Sequence, residues 1–428
     1  MSTPDLVAPE CALPGSPLAN ERSGIDACVH CGFCLQACPT YLTLEDENDS
    51  PRGRVLLMRS LLEGTLTPQD ESVQTHIAQC LGCRACETAC PSGVPYGTLL
   101  EATRATLADY EPIPFVARVI LAVFERPLMM RLAMFGGRVA RTTGVARLLS
   151  RLPGRLGFAM AMLASTSRRE QAFRTPPAGK GERGTVALLT GCVMEGLFTE
   201  TNRATERVLG FNEYATVPVD GQRCCGALHA HAGDDDAARR LARANIEAFE
   251  RVSTDFICVN AAGCGAMMKE YGHLLAGDPA WAERAKNISA KVRDVSELLA
   301  AAGPKRGGDL PVRVAYDAPC HLLHAQRIAN APLEVLRAIP GLELVPLYES
   351  EMCCGSAGIY NLVEPEVSDA VLDRKLVNVA KSAPQLVATG NPGCLMQIGA
   401  GLIRDGSATT AVHPVELLDR SYAVARPE

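Results

Sequence analysis

Cys28-Val29-His30-Cys31-Gly32-Phe33-Cys34-Leu35-Gln36-Ala37-Cys38-Pro39 is the stretch on which the reading of this chain turns. Its spacing, C-x2-C-x2-C-x3-C-P, returns at Cys80, Cys83, Cys86 and Cys90-Pro91. Three thiolates on one short loop can cap three corners of an iron–sulfur cube. The fourth, set beyond the loop and followed by a proline that turns the chain outward, reaches the neighbouring cube. Two [4Fe–4S] clusters are therefore expected, one on Cys28, Cys31, Cys34 and Cys90, the other on Cys80, Cys83, Cys86 and Cys38. The crossing makes the two runs one folding unit and holds the clusters close. Structural zinc is the rival reading, but it favours two C-x2-C pairs across a longer spacer with no following proline. Between the runs, PRGRVLLMRSLLEG reads as a helix packed over the clusters, with Arg52 and Arg54 as solvated or paired charges.

The chain has 428 residues, 47% hydrophobic and 21% charged, which describes a globular protein with more than one core. Its net charge of −6 argues against nucleic acid as a partner, because phosphate binding needs a basic surface. The opening MSTPDLVAPE has neither a basic n-region nor an apolar h-region, so no signal peptide is expected. Eighteen cysteines in such a chain read as metal ligands before disulfides. The longest charge-free run, 382–403, contains Pro384, Gln385, Asn391, Pro392 and Gln397, and reads as strand–turn–helix, not as a membrane span. Any membrane contact is expected to be peripheral or through a partner.

Composition divides the chain into 1–112, with eight closely spaced cysteines; 113–180, with none, ending in Pro176-Pro177-Ala178-Gly179; and the parts 181–305 and 306–428, which repeat. The first part reads strand VALLTG, Cys192, Cys224-Cys225-Gly226, strand FICVNAAG, Cys264. The second reads strand VRVAYDAP, Cys320, Cys353-Cys354-Gly355, strand LVATGNPG, Cys394. Cys320 follows Cys192 by 128 positions, Cys353 follows Cys224 by 129, and Cys394 follows Cys264 by 130. Helix-like segments such as RATERVLG and APLEVLRAI come after each strand–cysteine corner, so each part is expected to be an α/β unit with a largely parallel sheet. The cysteine landmarks are expected at turns beyond strand C-terminal ends, where such sheets bind ligands. The fold class is thus α+β multidomain: a helical two-cluster domain, then two tandem α/β cysteine-rich domains.

Each repeat offers four thiols: Cys192, Cys224, Cys225 and Cys264, then Cys320, Cys353, Cys354 and Cys394. Adjacent cysteines bridge each other only with strain, but both can ligate one metal assembly, and the glycine behind them lets the backbone turn away. Further iron–sulfur clusters or zinc both fit four thiolates. Cys11, assigned to a mobile tail, and Cys258, inside a strand, are expected to be incidental. His229, His231, His321 and His324 lie near the double-cysteine sites, and His321 directly follows Cys320. Residues 113–174 carry eleven arginines and two glutamates, with Val116, Val119, Ile120, Val123 and Phe124 interleaved with Arg118, Arg126, Arg131 and Arg138. Such a segment can lie on an anionic membrane or serve as a helical connector against its own domains or an acidic partner.

CVHCGFCLQACPTY, PRGR, CLGCRACETACPSGVPY, GCGAMMKEYG and MCCGSAG, in this order from 28 to 394, resemble the iron–sulfur subunits of bacterial glycolate oxidases. The resemblance implies electron transfer within a complex whose FAD-binding subunits oxidise glycolate to glyoxylate, with a quinone or other membrane electron acceptor. It also implies a place on the cytoplasmic side of the inner membrane, peripherally associated. No catalytic residue is expected here, because the chain has no G-x-G-x-x-G after a strand, no Walker loop and no nucleophile–base set; it is not expected to oxidise substrate alone. The repeats are also similar to those of heterodisulfide reductases, lactate-utilisation proteins and anaerobic glycerol-3-phosphate dehydrogenase. The heterodisulfide reductase domain ends in C-x2-C, whereas here Met267 and Gln397 take the last position, one ligand short at each site. The same role with lactate or glycerol 3-phosphate, a thiol–disulfide reductase, and a zinc-stabilised scaffold are the alternatives.

Overall fold

The computed structural model describes residues 11–166 and 179–425. Most of the Pro/Gly stretch at 176–179, and Arg168, Arg169 and Arg174 of the basic segment, lie outside the described residues. The chain forms two compact units, one of Met1–Pro114 with Ala230–Asp235, the other of Phe115–His229 with Asp236–Glu428.

The first unit is helical, around a core of Leu18, Ile25, Met58, Leu61, Leu62, Ile77 and Leu99. Its organising element is the helix Pro51–Glu63, as the sequence predicts. Ser50 caps it by accepting from Gly53 N at 3.0 Å, Pro51 occupies the first turn, where no N–H is needed, and Gly64 ends it at φ +73°. A Cβ on Gly53 would overlap the carbonyl of Glu47, so only glycine lets the helix lie this close to the preceding turn. Arg52 pairs with Glu47 at 2.6 Å. Arg54 is a paired charge, and a wholly buried one: it meets Asp49 at 2.9 Å and donates to Thr40 Oγ1 and His76 O at 2.9 and 2.6 Å. A guanidinium this deep is tolerated because its donors meet a carboxylate, a hydroxyl and carbonyls. Cys11 departs from the expectation of a mobile tail. It is half-buried against this core, where Ala12 N donates to Leu62 O at 2.8 Å.

The second unit holds two four-stranded, all-parallel sheets. The first has the order β2-β1-β3-β4, from β1 (Thr185–Leu188), β2 (Ala215–Val217), β3 (Phe256–Val259) and β4 (Val292–Asp294). The second has the order β6-β5-β7-β8, from β5 (Val312–Tyr316), β6 (Leu342–Val345), β7 (Leu386–Ala388) and β8 (Thr410–Val412). The repeat read from cysteine spacing is therefore a repeat of topology. The domains pack reciprocally: the helix Thr199–Phe211 of the first meets Pro414–Ala425 of the second, and Val295–Ala302 of the first meets Ala331–Arg337 of the second. Val208, Leu209, Leu298, Val335, Leu336, Leu417 and Leu418 share one core across this joint. Arg207 bridges it to Asp419 at 2.7 Å, and Phe211 stacks on Tyr422 at 4.0 Å.

The basic segment forms the helices Phe115–Glu125, Pro127–Thr142, Val145–Leu149 and Gly154–Ser165. The last lies against Pro392–Arg404, sending Phe158, Ala161 and Met162 into the core that contains Cys354 and Cys394. Among the described residues no helix is long and apolar enough to cross a membrane, and 382–403 resolves into β7, a turn and the helix Pro392–Arg404.

Candidate metal centres

The two ferredoxin-type runs shape two neighbouring basins. Cys28, Cys31, Cys34 and Cys90 line one, along with Val29, Phe33, Pro51, Val55 and Val94. Cys38, Cys80 and Cys83 line the other, beside Pro39, Pro51, Arg54 and Tyr96, and Cys86 lies on the wall common to both. Each run thus sends its last cysteine to the basin of the other. The loops turn alike: His30 and Gly32 in the first run, Gly82 and Arg84 in the second, are all left-handed, with φ between +54° and +84°. That alternation wraps each loop around its basin, and the two non-glycine residues adopt it at a cost of about 1 kcal/mol each.

Around the second basin the sulfurs receive polar contacts. Cys38 Sγ is 3.2 Å from Thr40 Oγ1, Tyr96 Oη donates to Cys80 Sγ at 3.6 Å, and Gly82 N donates to the same sulfur at 3.4 Å. Burial pushes the Cys34 thiol up to about 11 and raises Cys38 and Cys86 as well. Burial disfavours the bare thiolates, a cost that a metal cation bound among them would offset. The spacing also discriminates. Among the described residues no three cysteine sulfurs lie mutually within 4.8 Å, whereas thiolates on one zinc ion stand roughly 3.8 Å apart. The donor set fits a group with a body of its own. The Asp46–Asp49–His76 trio does meet that 4.8 Å limit, yet Asp49 is already committed to Arg54 and to His76 Nδ1 at 3.1 Å. We read it as an ion-pair network.

In the second unit the predicted quartets also gather. Cys192 Sγ is 3.7 Å from Cys224 Sγ, while Cys225 is hydrogen-bonded to both Cys224 and Cys264. Cys353 is hydrogen-bonded to Cys320 and Cys354, and Cys354 to Cys394. In each repeat the first cysteine of the pair is drawn well below the ordinary thiol range because two neighbouring thiols donate to it, and the second is pushed up by that same contact. Gly226 and Gly355, at φ +92° and +88°, turn the chain behind the pairs. Cys192 and Cys320 stand just beyond β1 and β5 as expected. Cys264 and Cys394 differ: both lie in the first turn of a helix, Ala262–Lys269 and Pro392–Arg404, because an extended residue before each leads straight from strand into helix. The quartets are stitched together, since Gly263 N donates to Asn391 Oδ1 at 3.2 Å and Asn391 Nδ2 to Cys394 Sγ at 3.5 Å.

His321 Nδ1 is 3.4 Å from Cys320 Sγ, whereas His231 pairs with Glu101 at 2.8 Å. His229 and His324 are buried, and burial holds His324 below its ordinary value. Cys258 is sealed inside β3. Gln397, at the missing-ligand position, is held by Ser368 Oγ and Asn361 Nδ2 at 2.9 and 2.8 Å.

Sequence reading missed one feature of the second quartet. Gly226 backs onto Ala238 and Gly355 onto Ser368, which aligns Asn245 with Lys375. Lys375 is buried, paired with Asp317 at 2.9 Å, and donates to Glu349 O at 2.8 Å. In the first repeat Leu189 stands in place of Asp317, and Asn245 donates to Cys224 O at 3.0 Å. The signal was present, because Lys375 falls on the apolar stripe Val367, Val371, Leu372, Leu376 and Val379.

Paired thiol-lined basins in a helical domain, joined to twin cysteine-rich α/β domains, define an iron–sulfur subunit of a redox complex. Comparison with protein families agrees: residues 24–94 match the 4Fe-4S dicluster domain, and residues 186–269 and 314–399 each match the cysteine-rich domain. The chain is 37% identical over 416 residues to the probable glycolate oxidase iron-sulfur subunit of Bacillus subtilis (strain 168), covering 91% of this chain and 92% of that one. It is 33% identical over 405 residues to the glycolate oxidase iron-sulfur subunit of Escherichia coli (strain K12), covering 92% and 93%. Lactate utilization protein A of Exiguobacterium sp. (strain ATCC BAA-1283 / AT1b) is 30% identical over 243 residues, 56% of this chain and 99% of that one. The chain belongs to the family of glycolate oxidase iron-sulfur subunits.

Proposed function

We propose that the chain carries electrons from FAD-bearing partner subunits that oxidise glycolate to glyoxylate toward a quinone-type acceptor, peripherally associated with the cytoplasmic face of the inner membrane. The observation that carries the proposal is the pair of basins sharing the Cys86 wall. Two [4Fe–4S] clusters would be held by Cys28, Cys31, Cys34 and Cys90, and by Cys80, Cys83, Cys86 and Cys38. Further clusters or zinc would occupy the quartets Cys192, Cys224, Cys225, Cys264 and Cys320, Cys353, Cys354, Cys394, since four thiolates suit either. Bound clusters supply one-electron carriers. The protein's part is to hold thiolates, to aim Tyr96 Oη and Gly82 N at Cys80 Sγ, and to line the basins with apolar side chains that limit water. Such contacts adjust potentials without taking part in bond making. We place the domains at 1–112, 113–180, 181–305 and 306–428.

Iron and acid-labile sulfide analysis of anaerobically prepared protein tests the cluster reading, with about eight irons expected from the N-terminal basins alone. Cys38→Ser is expected to disturb the centre of the second run in the paramagnetic resonance spectrum, although Cys38 belongs to the first. A zinc-only protein, or a spectrum altered only at the first-run centre, would sink it. Glycolate is expected to reduce the clusters only when the flavin subunits are present. Reduction by lactate in place of glycolate would overturn the substrate and leave the carrier role standing.

A further inference from the structure

Nineteen large apolar side chains are exposed among the described residues, and twelve of them fall within 115–156, about a tenth of the chain. Phe115, Leu128, Leu132, Phe135, Leu148 and Leu156 are each between 58% and 71% exposed. In the helix Pro127–Thr142 the exposed apolar positions 128, 132, 135 and 139 succeed one another at spacings of four, three and four, which is one face of a helix. Val145, Leu148, Leu152 and Leu156 add further exposed apolar side chains on the next two helices and the turn between them. A face of this kind is not scattered surface hydrophobicity; it marks a place where something other than water is met.

Charge says what. Arg118, Arg126, Arg131, Arg138, Arg147, Arg151 and Arg155 are exposed in the same stretch, whereas Glu125 is the sole carboxylate between 115 and 166 and is paired with Arg240 at 2.8 Å. Among the described residues Arg131, Arg138, Arg147 and Arg151 form no ion pair. The chain as a whole carries −6. A cationic, apolar strip on an acidic protein is drawn to a surface that is both anionic and greasy, with guanidinium groups reaching phosphates while the apolar side chains enter the acyl boundary. The helices are too short to cross a bilayer, so they would lie in its plane.

We propose that the helical stretch 115–156 is a docking surface for an anionic phospholipid bilayer, embedded in the headgroup layer and orienting the acidic remainder away from it. This deepens the peripheral association proposed above and rests on it, while its test reads no turnover and no iron. Flotation of the full chain with vesicles of phosphatidylcholine and phosphatidylglycerol is compared with flotation on phosphatidylcholine alone. The protein should bind the anionic vesicles, bind less at high salt, and lose about tenfold or more of that partition in Leu132→Glu/Phe135→Glu. Arg131→Gln/Arg138→Gln, at solvent positions that leave the fold alone, should weaken binding to the anionic vesicles only. Unchanged visible and circular dichroism spectra certify the variants, and the arginine pair decides if the glutamate pair misfolds. Wild-type protein that ignores anionic vesicles, or variants that bind as well as wild type, would overturn the proposal. So would a wild-type chain that shuns vesicles but loses its flavin subunits, or its self-association, in Leu132→Glu/Phe135→Glu; the face would then belong to a protein.

Discussion

At Gly53 there is no room for a side chain, because the helix Pro51–Glu63 is pressed against the carbonyl of Glu47. Gly53→Ala is therefore expected to cost about 1–3 kcal/mol, read by denaturant unfolding of anaerobically prepared protein, since the clash is with backbone and cannot rotate away. An unchanged midpoint would show that the turn yields. Lys375 and Asp317 make a stronger case. Removing the ammonium in Lys375→Met strands a buried carboxylate and should destabilise by about 3–5 kcal/mol. Transplanting the first repeat's solution as Asp317→Leu/Lys375→Asn should cost far less, because it leaves no buried charge alone. If the double variant were as unstable as the single one, the pair would not be what stabilises this corner. None of this was visible in the cysteine spacing. PRGR could be read as a helix start, but the burial of Arg54 needs Asp49, Thr40 and His76 to converge from other elements.

Among the elements, the last helix of each repeat is capped by a side chain at or just beyond the end of the edge strand. Asp294 caps Val295–Ala302, accepting from Ser296 N at 2.8 Å in a capping box with Glu297. In the second repeat His413 accepts from Val415 N through Nδ1 at 3.1 Å, with Nε2 against Asn260 O at 2.9 Å, which fixes the tautomer with its proton on Nε2. Burial raises the Asp294 carboxyl from 3.8 to about 6. A raised carboxyl means the folded state holds the proton that the unfolded chain has released, so stability falls as pH rises through that window. The loss approaches roughly 3 kcal/mol by neutral pH. Asp294→Asn should keep the cap and flatten this pH dependence, checked by unfolding midpoints between those two pH values. A slope that survives in the variant would assign the titration to another group. Alternating strands and helices were legible from apolar runs and turns, but cap identity was not, since Asp and His announce no cap until the preceding strand is placed.

For the molecule as a whole, the two α/β domains are joined where the last helix of each packs on an earlier helix of the other, and Arg207, in this joint, binds Asp419 and Glu200 together. Arg207→Ala leaves Asp419 nearly buried without its cation, and a loss of about 3 kcal/mol is expected, shared by both domains in one transition. Two separate calorimetric transitions, with only one shifted, would contradict a common core. The chain's eighteen cysteines determined much by themselves: spacing along a loop dictates which thiols can meet, so the crossing of each run's last cysteine to the other's basin, the internal repeat and the alternating architecture could be read from order and distance in the chain. Contacts between elements far apart in sequence could not. The buried Arg54 and Lys375, the stitching of Cys394 to the neighbouring quartet through Asn391, and the apolar face of 115–156, exposed among the described residues, were decided only when helices packed. Burial is a property of what lies opposite, and a periodic pattern names a face without naming its partner.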